Sequence, residues 1–355
     1  MRLSPGDTIG ILGGGQLGRM LALAAARLGL ACHIYAPEAD SPAFAVSAAS
    51  TVGDYRDEVA LARFAASVDA ITYEFENVPV ESVQFLEGLK PVRPGSKALA
   101  VAQDRLAEKR LARSLGARTA DFAEVNTPDD LHAAVRVLGL PAVLKTNRFG
   151  YDGKGQAKIF AASEIEPGFA MLRGQQGILE SFVSFAREVS VIATRGADGA
   201  FAAFDVTENE HRNHILHRSV VPATIEQKVA EEAIAIARKI AEALEYVGTF
   251  AVEFFLVEGK DGGVIVNEIA PRVHNSGHWT MDGAFTCQFE QHIRAVAGWP
   301  LGDPARLGAV EMINLVGLDA ARWHEILGDG RAHLHLYGKA EIREGRKMGH
   351  VNRIL

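Results

Sequence analysis

The chain has 355 residues, 48% of them hydrophobic and 23% charged, a balance ordinary for a globular enzyme and long enough for two or three domains with their own cores. Its formal net charge of −7 argues against a nucleic-acid partner, since phosphate backbones need a basic surface, but leaves room for a local cluster that holds a small phosphorylated ligand. Cys32 and Cys287 are too few and too far apart for a disulfide framework or a Cys-based zinc site, so a reduced, cytoplasmic setting is expected. No signal-peptide pattern precedes the first apolar run, and no apolar stretch is long enough to span a membrane.

Thr8–Leu12 reads as a buried strand, and Gly13-Gly14-Gly15 turns it into a helix over about Leu17–Leu28 that Gly29 stops. Ala31–Ala36 is a second strand, a helix follows near Val59–Ala66, and Ala70–Phe75 is a third strand. Strands alternating with helices imply a parallel, doubly wound sheet over roughly the first hundred residues. One helix is expected over about Lys97–Leu115, then strands near Ala142–Thr146, Glu188–Ala193 and Phe201–Val206. A strongly periodic helix runs from about Glu226 to Leu244 with Val229, Ala233, Ile236 and Ile240 as its buried stripe. Another helix lies near Cys287–Val296, and a smaller unit closes the chain from about Gly298.

Between the last two helices stand two β-branched and aromatic runs, Phe250–Val257 and Val264–Arg272, joined by a Gly-rich turn. A tip at Lys260-Asp261 sets Glu253 opposite Glu268, two carboxylates on one face at roughly 5 Å, a destabilising pair. A divalent cation removes that penalty, and Mg²⁺ favours one or two carboxylates plus substrate phosphates. A turn one residue different would instead put one Glu on the other face.

Gly13–Gly18 matches the dinucleotide fingerprint in a strand–turn–helix context, yet Ala36-Pro37 stands where the ribose-binding acid belongs. The motif therefore supports the fold more than a nicotinamide ligand. Lys145 ends a short apolar strand and precedes Gly150-Tyr151-Asp152-Gly153-Lys154-Gly155-Gln156, a loop able to fold over phosphates or to be a solvated turn. The spacing is not that of a Walker loop, but a lysine at the end of a buried strand needs an anionic partner. Glu180-Ser181-Phe182-Val183 and Glu188 suit either a nucleotide-base seat or an ordinary edge strand. His211, His214 and His217 lack a completing zinc-ligand set. Arg272, His274, Asn275 and His278 crowd behind Glu268, and Lys339, Arg343, Arg346 and Lys347 form a basic tract that suits a phosphate monoester or a solvated face.

With these residues in view the chain resembles the ATP-grasp enzymes, and within them the N5-carboxyaminoimidazole ribonucleotide synthetase family. The resemblance runs nearly end to end, through Gly10–Met20, Glu74–Pro79, Lys145, Gly150–Gln156, Val252–Phe254, Asn267-Glu268, Pro271–Thr280 and Gly345–His350. It implies an α/β and α+β multidomain protein: a Rossmann-like doubly wound domain over 1–100, a central ATP-grasp fold over 101–297 with a lid near 145–185, and a small C-terminal lobe over 298–355.

The activity it implies is ATP-driven carboxylation of 5-aminoimidazole ribonucleotide with bicarbonate, through carboxyphosphate, by a cytoplasmic homodimer using Mg²⁺. By resemblance Arg105, Lys145, the loop Gly150–Gln156, Glu180, Ser181, Phe182, Val183, Glu188, His211, Asn267 and Glu268 serve ATP, and Glu253 and Glu268 carry the metal. Tyr151, Asp152, Arg272, His274, Asn275 and Lys347 are implied at the reacting groups. Gly15, Gln16, Leu17, Glu74, Asn77, Arg346 and Lys347 are implied at the ribonucleotide. His214 departs from the usual glycine after His211, Val273 replaces a frequent proline, and the chain ends soon after His350, which leaves a role for Arg353 open. The nearest rival is another ATP-grasp ligase such as the formate-dependent glycinamide ribonucleotide transformylase, against which the His274–Thr280 and Arg346–His350 motifs count.

Overall fold

The computed structural model describes residues 1–148, 150, 155–259 and 262–355. Strands β1 (Thr8–Leu12), β2 (Ala31–Ala36), β3 (Ala49–Val52) and β4 (Ala70–Tyr73) form an all-parallel sheet in the order β3-β2-β1-β4. Both faces are covered, which is why β1, β2 and β4 are apolar nearly throughout. Helix Gln16–Arg27 packs on one face together with Phe289, Ile293 and Val296 from helix Gln288–Ala297, so the N-terminal sheet shares a core with a helix nearly 300 residues downstream. The other face takes Leu61 and Phe64 of helix Glu58–Ala66 and Val83 and Leu86 of helix Val80–Glu87.

The single helix expected over about 97–115 is two, Ser96–Ala102 and Arg105–Ser114. Asp104 breaks it: its side chain accepts from the Ala107 N–H at 2.9 Å, starting a new helix. The preceding Gln103 turns away to donate to the carbonyls of Glu76 and Val78.

A four-stranded antiparallel sheet follows, β5 (Phe122–Val125), β6 (Ala142–Thr146), β7 (Gln156–Ile159) and β8 (Gly177–Ser181), in the order β5-β8-β6-β7. The remaining strands join one large antiparallel sheet: β9 (Arg187–Arg195), β10 (Phe201–Ala203), β11 (Thr207–Arg212), β12 (Ile215–Val221), β13 (Gly248–Val257), β14 (Gly263–Ala270), β15 (Val310–Val316), β16 (Ala332–Leu336) and β17 (Lys347–Ile354). Their order is β14-β13-β9-β11-β12-β15-β17-β16, with β10 beside β9. The strand expected over 201–206 stops at Ala203, and Thr207 opens the next. Helix Gln227–Ala243 lays Ala233, Ile236 and Ile240 on β9, β13 and β14, with Val229 half-buried at its start. Strands beyond residue 310 continue the same sheet, so the C-terminal segment is hydrogen-bonded to the central unit. No helix among the described residues is long and apolar enough to cross a membrane.

Candidate active site

Glu253 lies directly opposite Glu268 in the β13–β14 hairpin, but the register that brings it there is not uniform. From Val257↔Gly263 to Phe254↔Val266 the strands are one residue off the pairing a Lys260-Asp261 tip dictates. A β-bulge then absorbs Asn267, and Glu253↔Glu268, Val252↔Ile269 and Ala251↔Ala270 follow. Without the bulge Glu253 would face Asn267 and Glu268 would turn to the other face of the sheet. Burial and the neighbouring Glu268 push the Glu253 carboxyl up to about 8. His274 Nε2 approaches Glu253 Oε1 at 3.2 Å, while Arg105 Nη1 sits 3.5 Å from Glu268.

The bulge is held from behind by helix Arg105–Ser114. Lys109 Nζ donates to the carbonyls of Asn267 at 2.8 Å and Val266 at 3.2 Å, and the Glu108 carboxylate accepts from the Ile269 N–H. Neither residue stood out in the sequence, where Glu108-Lys109-Arg110 looks like a solvated helix face. The available signal was spacing: Lys109 lies between Leu106 and Ala112 on the buried stripe.

Lys145 finds its anionic partner inside the protein. Its Nζ donates to Glu180 Oε2 at 2.9 Å, across the β6–β8 ladder of the small sheet. Glu180 is only 3% exposed, so its backbone, not its carboxylate, is what a nucleotide could meet. Ser181 accepts from the Asp121 N–H through its hydroxyl, whereas the Phe182 side chain is exposed. Of the loop, Gly150 accepts from Arg105 Nη2 at 3.1 Å, and Gly155 and Gln156 return alongside Thr146 and Lys145. Tyr151, Asp152, Gly153 and Lys154 lie outside the described residues.

On the large sheet Glu188 and His211 form a 2.7 Å pair, and their hydrogen bond together with the Glu188 charge raises the imidazole against the lowering effect of burial. Beside them opens a pocket of about 330 Å³ lined by Phe185, Arg187, Glu188, Asn209, His211 and Arg218. His214 sits at a left-handed turn residue (φ 64°) and His217 on the next strand, so the three histidines are not drawn together. Burial holds His274 far below the usual imidazole range, and its Nδ1 accepts from the Ser276 N–H, which leaves Nε2–H for Glu253. Asn275 exchanges amide hydrogen bonds of 2.9 and 2.8 Å with Asn314, so both ends of its side chain are already engaged.

The glycine-rich turn is filled from within. Gly15 N–H donates to Glu74 Oε1 at 2.7 Å, and a Cβ on Gly13 or Gly15 would collide with that carboxylate. Glu74 thus occupies the anion position at the start of helix Gln16–Arg27, where a dinucleotide fold would place a pyrophosphate. Burial raises its carboxyl even so. Leu17 contributes its side chain to the core, Gln16 is half-buried, and Asn77 lies in the Glu74–Pro79 loop pinned by Gln103. Arg272 reaches the same loop with a 2.9 Å bond to Glu76. From the C-terminal strands Lys339 Nζ donates to the Lys347 carbonyl at 2.7 Å, and burial together with Arg346 lowers its ammonium to about 8. Arg346 is turned onto the Glu341 carbonyl.

The donor chemistry fits a hard cation: two opposed carboxylates with Asn267 next to them in the chain, one carboxyl driven up by burial and by its neighbour. Among the described residues no cluster of three His, Cys, Asp or Glu side chains stands ready to bind a metal alone, so phosphate oxygens would complete the shell.

Comparison with known proteins agrees with this architecture. The chain matches the ATP-grasp domain over residues 110–289, the ribonucleotide synthetase preATP-grasp domain over 7–103 and the phosphoribosylaminoimidazole carboxylase C-terminal domain over 311–355. It is 49% identical over 354 residues to the N5-carboxyaminoimidazole ribonucleotide synthase of Brucella melitensis, covering 99% of this chain and 97% of that one. It superposes on the Staphylococcus aureus N5-carboxyaminoimidazole synthetase complexed with ADP with a TM-score of 0.95 at 37% identity, covering 100% and 94% of the two chains. The Aspergillus clavatus enzyme in complex with ADP and 5-aminoimidazole ribonucleotide gives 0.92 at 28% identity, covering 99% and 94%. The nicotinamide reading of the glycine turn and the ATP-grasp reading of the carboxylate hairpin are thereby separated, and the chain belongs to the N5-carboxyaminoimidazole ribonucleotide synthase family of ATP-grasp ligases.

Proposed function

We propose that this protein carries out its family's reaction, the ATP-dependent carboxylation of 5-aminoimidazole ribonucleotide to N5-carboxyaminoimidazole ribonucleotide in purine biosynthesis. The observation that carries the reading is the opposed Glu253–Glu268 pair with Arg105 beside it, in a chain similar to its relatives along its whole length. Lys145, Arg105 and the loop Gly150–Gln156 hold the ATP phosphates. The backbone of Glu180–Val183 meets the adenine, and Glu188, oriented by His211, meets the ribose. Glu253 and Glu268, with Asn267 beside them, hold Mg²⁺, which when bound supplies positive charge against the developing charge of the transferred phosphoryl group.

Bicarbonate oxygen attacks the γ-phosphorus, ADP leaves, and carboxyphosphate results. The exocyclic amine of the ribonucleotide then bonds to that carbon, either on carboxyphosphate itself or on the CO₂ it releases, and gives up a proton while phosphate departs. Tyr151, Asp152, Arg272, His274, Asn275 and Lys347 face these groups. Gly15–Leu17, Glu74, Asn77, Arg346 and Lys347 seat the ribonucleotide, with the positive charges of Arg272 and, more weakly, Lys339 acting on Glu74. Carboxyphosphate hydrolyses readily, so the loop over residues 150–156 serves to exclude water. A homodimer and a cytoplasmic setting belong to the same reading; Cys32 and Cys287, both buried and unpaired, suit a reducing compartment, and light scattering tests the dimer. The domain division at about residues 100 and 297 is likewise proposed, and limited proteolysis tests it.

The deciding assay is ADP formation from Mg-ATP and bicarbonate with and without aminoimidazole ribonucleotide. Bicarbonate-dependent turnover that rises with this substrate supports the reading. Turnover only with glycinamide ribonucleotide and formate would overturn the substrate while leaving the ATP site in place.

A further inference from the structure

Lys109 has no role in the chemistry above, yet its side chain is completely buried at the meeting point of the small and large sheets. An ammonium has three N–H donors, and two of them go to the Asn267 and Val266 carbonyls. Glu180 Oε1 lies 3.7 Å from the same nitrogen and has no hydrogen-bond partner of its own, although it is buried. The other oxygen, Oε2, is taken by Lys145. One buried carboxylate thus lies between two lysines: Lys145, whose side chain is 12% exposed, and Lys109, which is sealed. If Lys145 turned outward, Glu180 would lose its only hydrogen-bonded cation and be left with Lys109 at 3.7 Å and the charge of Arg105, at heavy cost unless one of them closes on it. A shift of less than an ångström would close the gap from Lys109 to Oε1 into a hydrogen bond.

We propose that Lys109 is a positioning residue that takes up the charge of Glu180 when Lys145 leaves it for the nucleotide phosphates, so that Lys145 exchanges an internal anion for an external one. The inference rests on the reading of Lys145 as a phosphate ligand. Burial alone would raise the Glu180 carboxyl, and Lys145 and Lys109 lying beside it bring it down to about 2. With Lys109 gone, Glu180 has a single close lysine and holds Lys145 more tightly against the nucleotide.

The test is ADP affinity measured calorimetrically in EDTA, which needs neither metal nor turnover, for the full-length wild type and the variants K145M, K109M, E180Q and K109M/E180Q. K145M is expected to weaken ADP binding about tenfold or more, and unaltered affinity would refute the phosphate reading itself. K109M is expected to weaken ADP about tenfold, and wild-type affinity beside a damaged K145M would refute the role of Lys109 alone. Removing the charge that traps Lys145 makes the two effects non-additive, so K109M/E180Q should return to within about twofold of E180Q. Additive losses, the mark of a merely structural lysine, would overturn the proposal. Should K109M not fold, the wild-type ADP complex decides: Lys109 Nζ should stand about 3 Å from Glu180 Oε1 with Lys145 withdrawn. Lys145 withdrawn with Lys109 still beyond hydrogen-bond reach would overturn it.

Discussion

Glu253→Gln should make the nucleotide-free protein more stable at alkaline pH while destroying its activity. The carboxyl has an ordinary value of 4.5 when unfolded and about 8 in the fold, raised by burial first and by Glu268 second. Because the folded state holds this proton more tightly than the unfolded chain, stability is greatest below 4.5, falls as pH rises and levels off above about 8. The shift sets a ceiling of about 5 kcal/mol, with burial contributing more than the like charge of Glu268.

Glutamine keeps the shape and can still accept from His274 Nε2–H, so the amide removes the charge without removing the bond. In urea unfolding with EDTA present, the gap in stability between variant and wild type should widen by about 2–3 kcal/mol between about pH 5.5 and pH 8.5. Millimolar Mg²⁺ with ADP should then narrow it by stabilising the wild type alone. Parallel pH profiles for the two proteins would mean that Glu253 is not held beside a second carboxylate in solution, and the argument from the paired face would fail.

Glu268→Gln should leave thermal unfolding within a few degrees of wild type, since its side chain is 41% exposed, but lower kcat by about a hundredfold or more. Near-normal turnover would remove Glu268 from the phosphoryl site. Lys339 loses its proton near pH 8 in the free protein, so kcat/KM for the ribonucleotide should fall as pH rises through that value, and K339M should flatten the profile. Gly18→Ala places a Cβ 2.8 Å from the Gly13 carbonyl oxygen, which cannot move without displacing the Glu74 cradle; about 1–3 kcal/mol of stability should be lost. An unchanged denaturation midpoint in that variant would show the turn to be looser than its contacts imply.

Much of this molecule could be read from local pattern. β1 and β2 were expected at the residues where they occur because strands buried on both faces are continuous apolar runs, and β6 because its short apolar run follows Pro141. Helix Gln227–Ala243 was legible from its 3.6-residue stripe. The break at Asp104 was missed because a capping aspartate in a polar helix face looks like any other surface charge until the Ala107 N–H is seen to need it. Glu253 opposite Glu268 was anticipated from a uniform hairpin, whereas the protein achieves it with strands paired one residue off and a compensating bulge.

What sequence alone determined, then, are properties carried by neighbours along the chain: the apolar runs, the helical stripe, the glycine turn and the residue types gathered near the hairpin. Tertiary structure decided where each charge finds its counter-charge. Glu74 fills the glycine turn, Lys145 rests on Glu180, and Lys109 reaches the bulge carbonyls from a helix about 160 positions upstream. The reason is physical. Backbone periodicity is a local constraint, but a buried charge is satisfied by whatever partner the packed sheets bring within about 3 Å, and that distance is set by the fold as a whole.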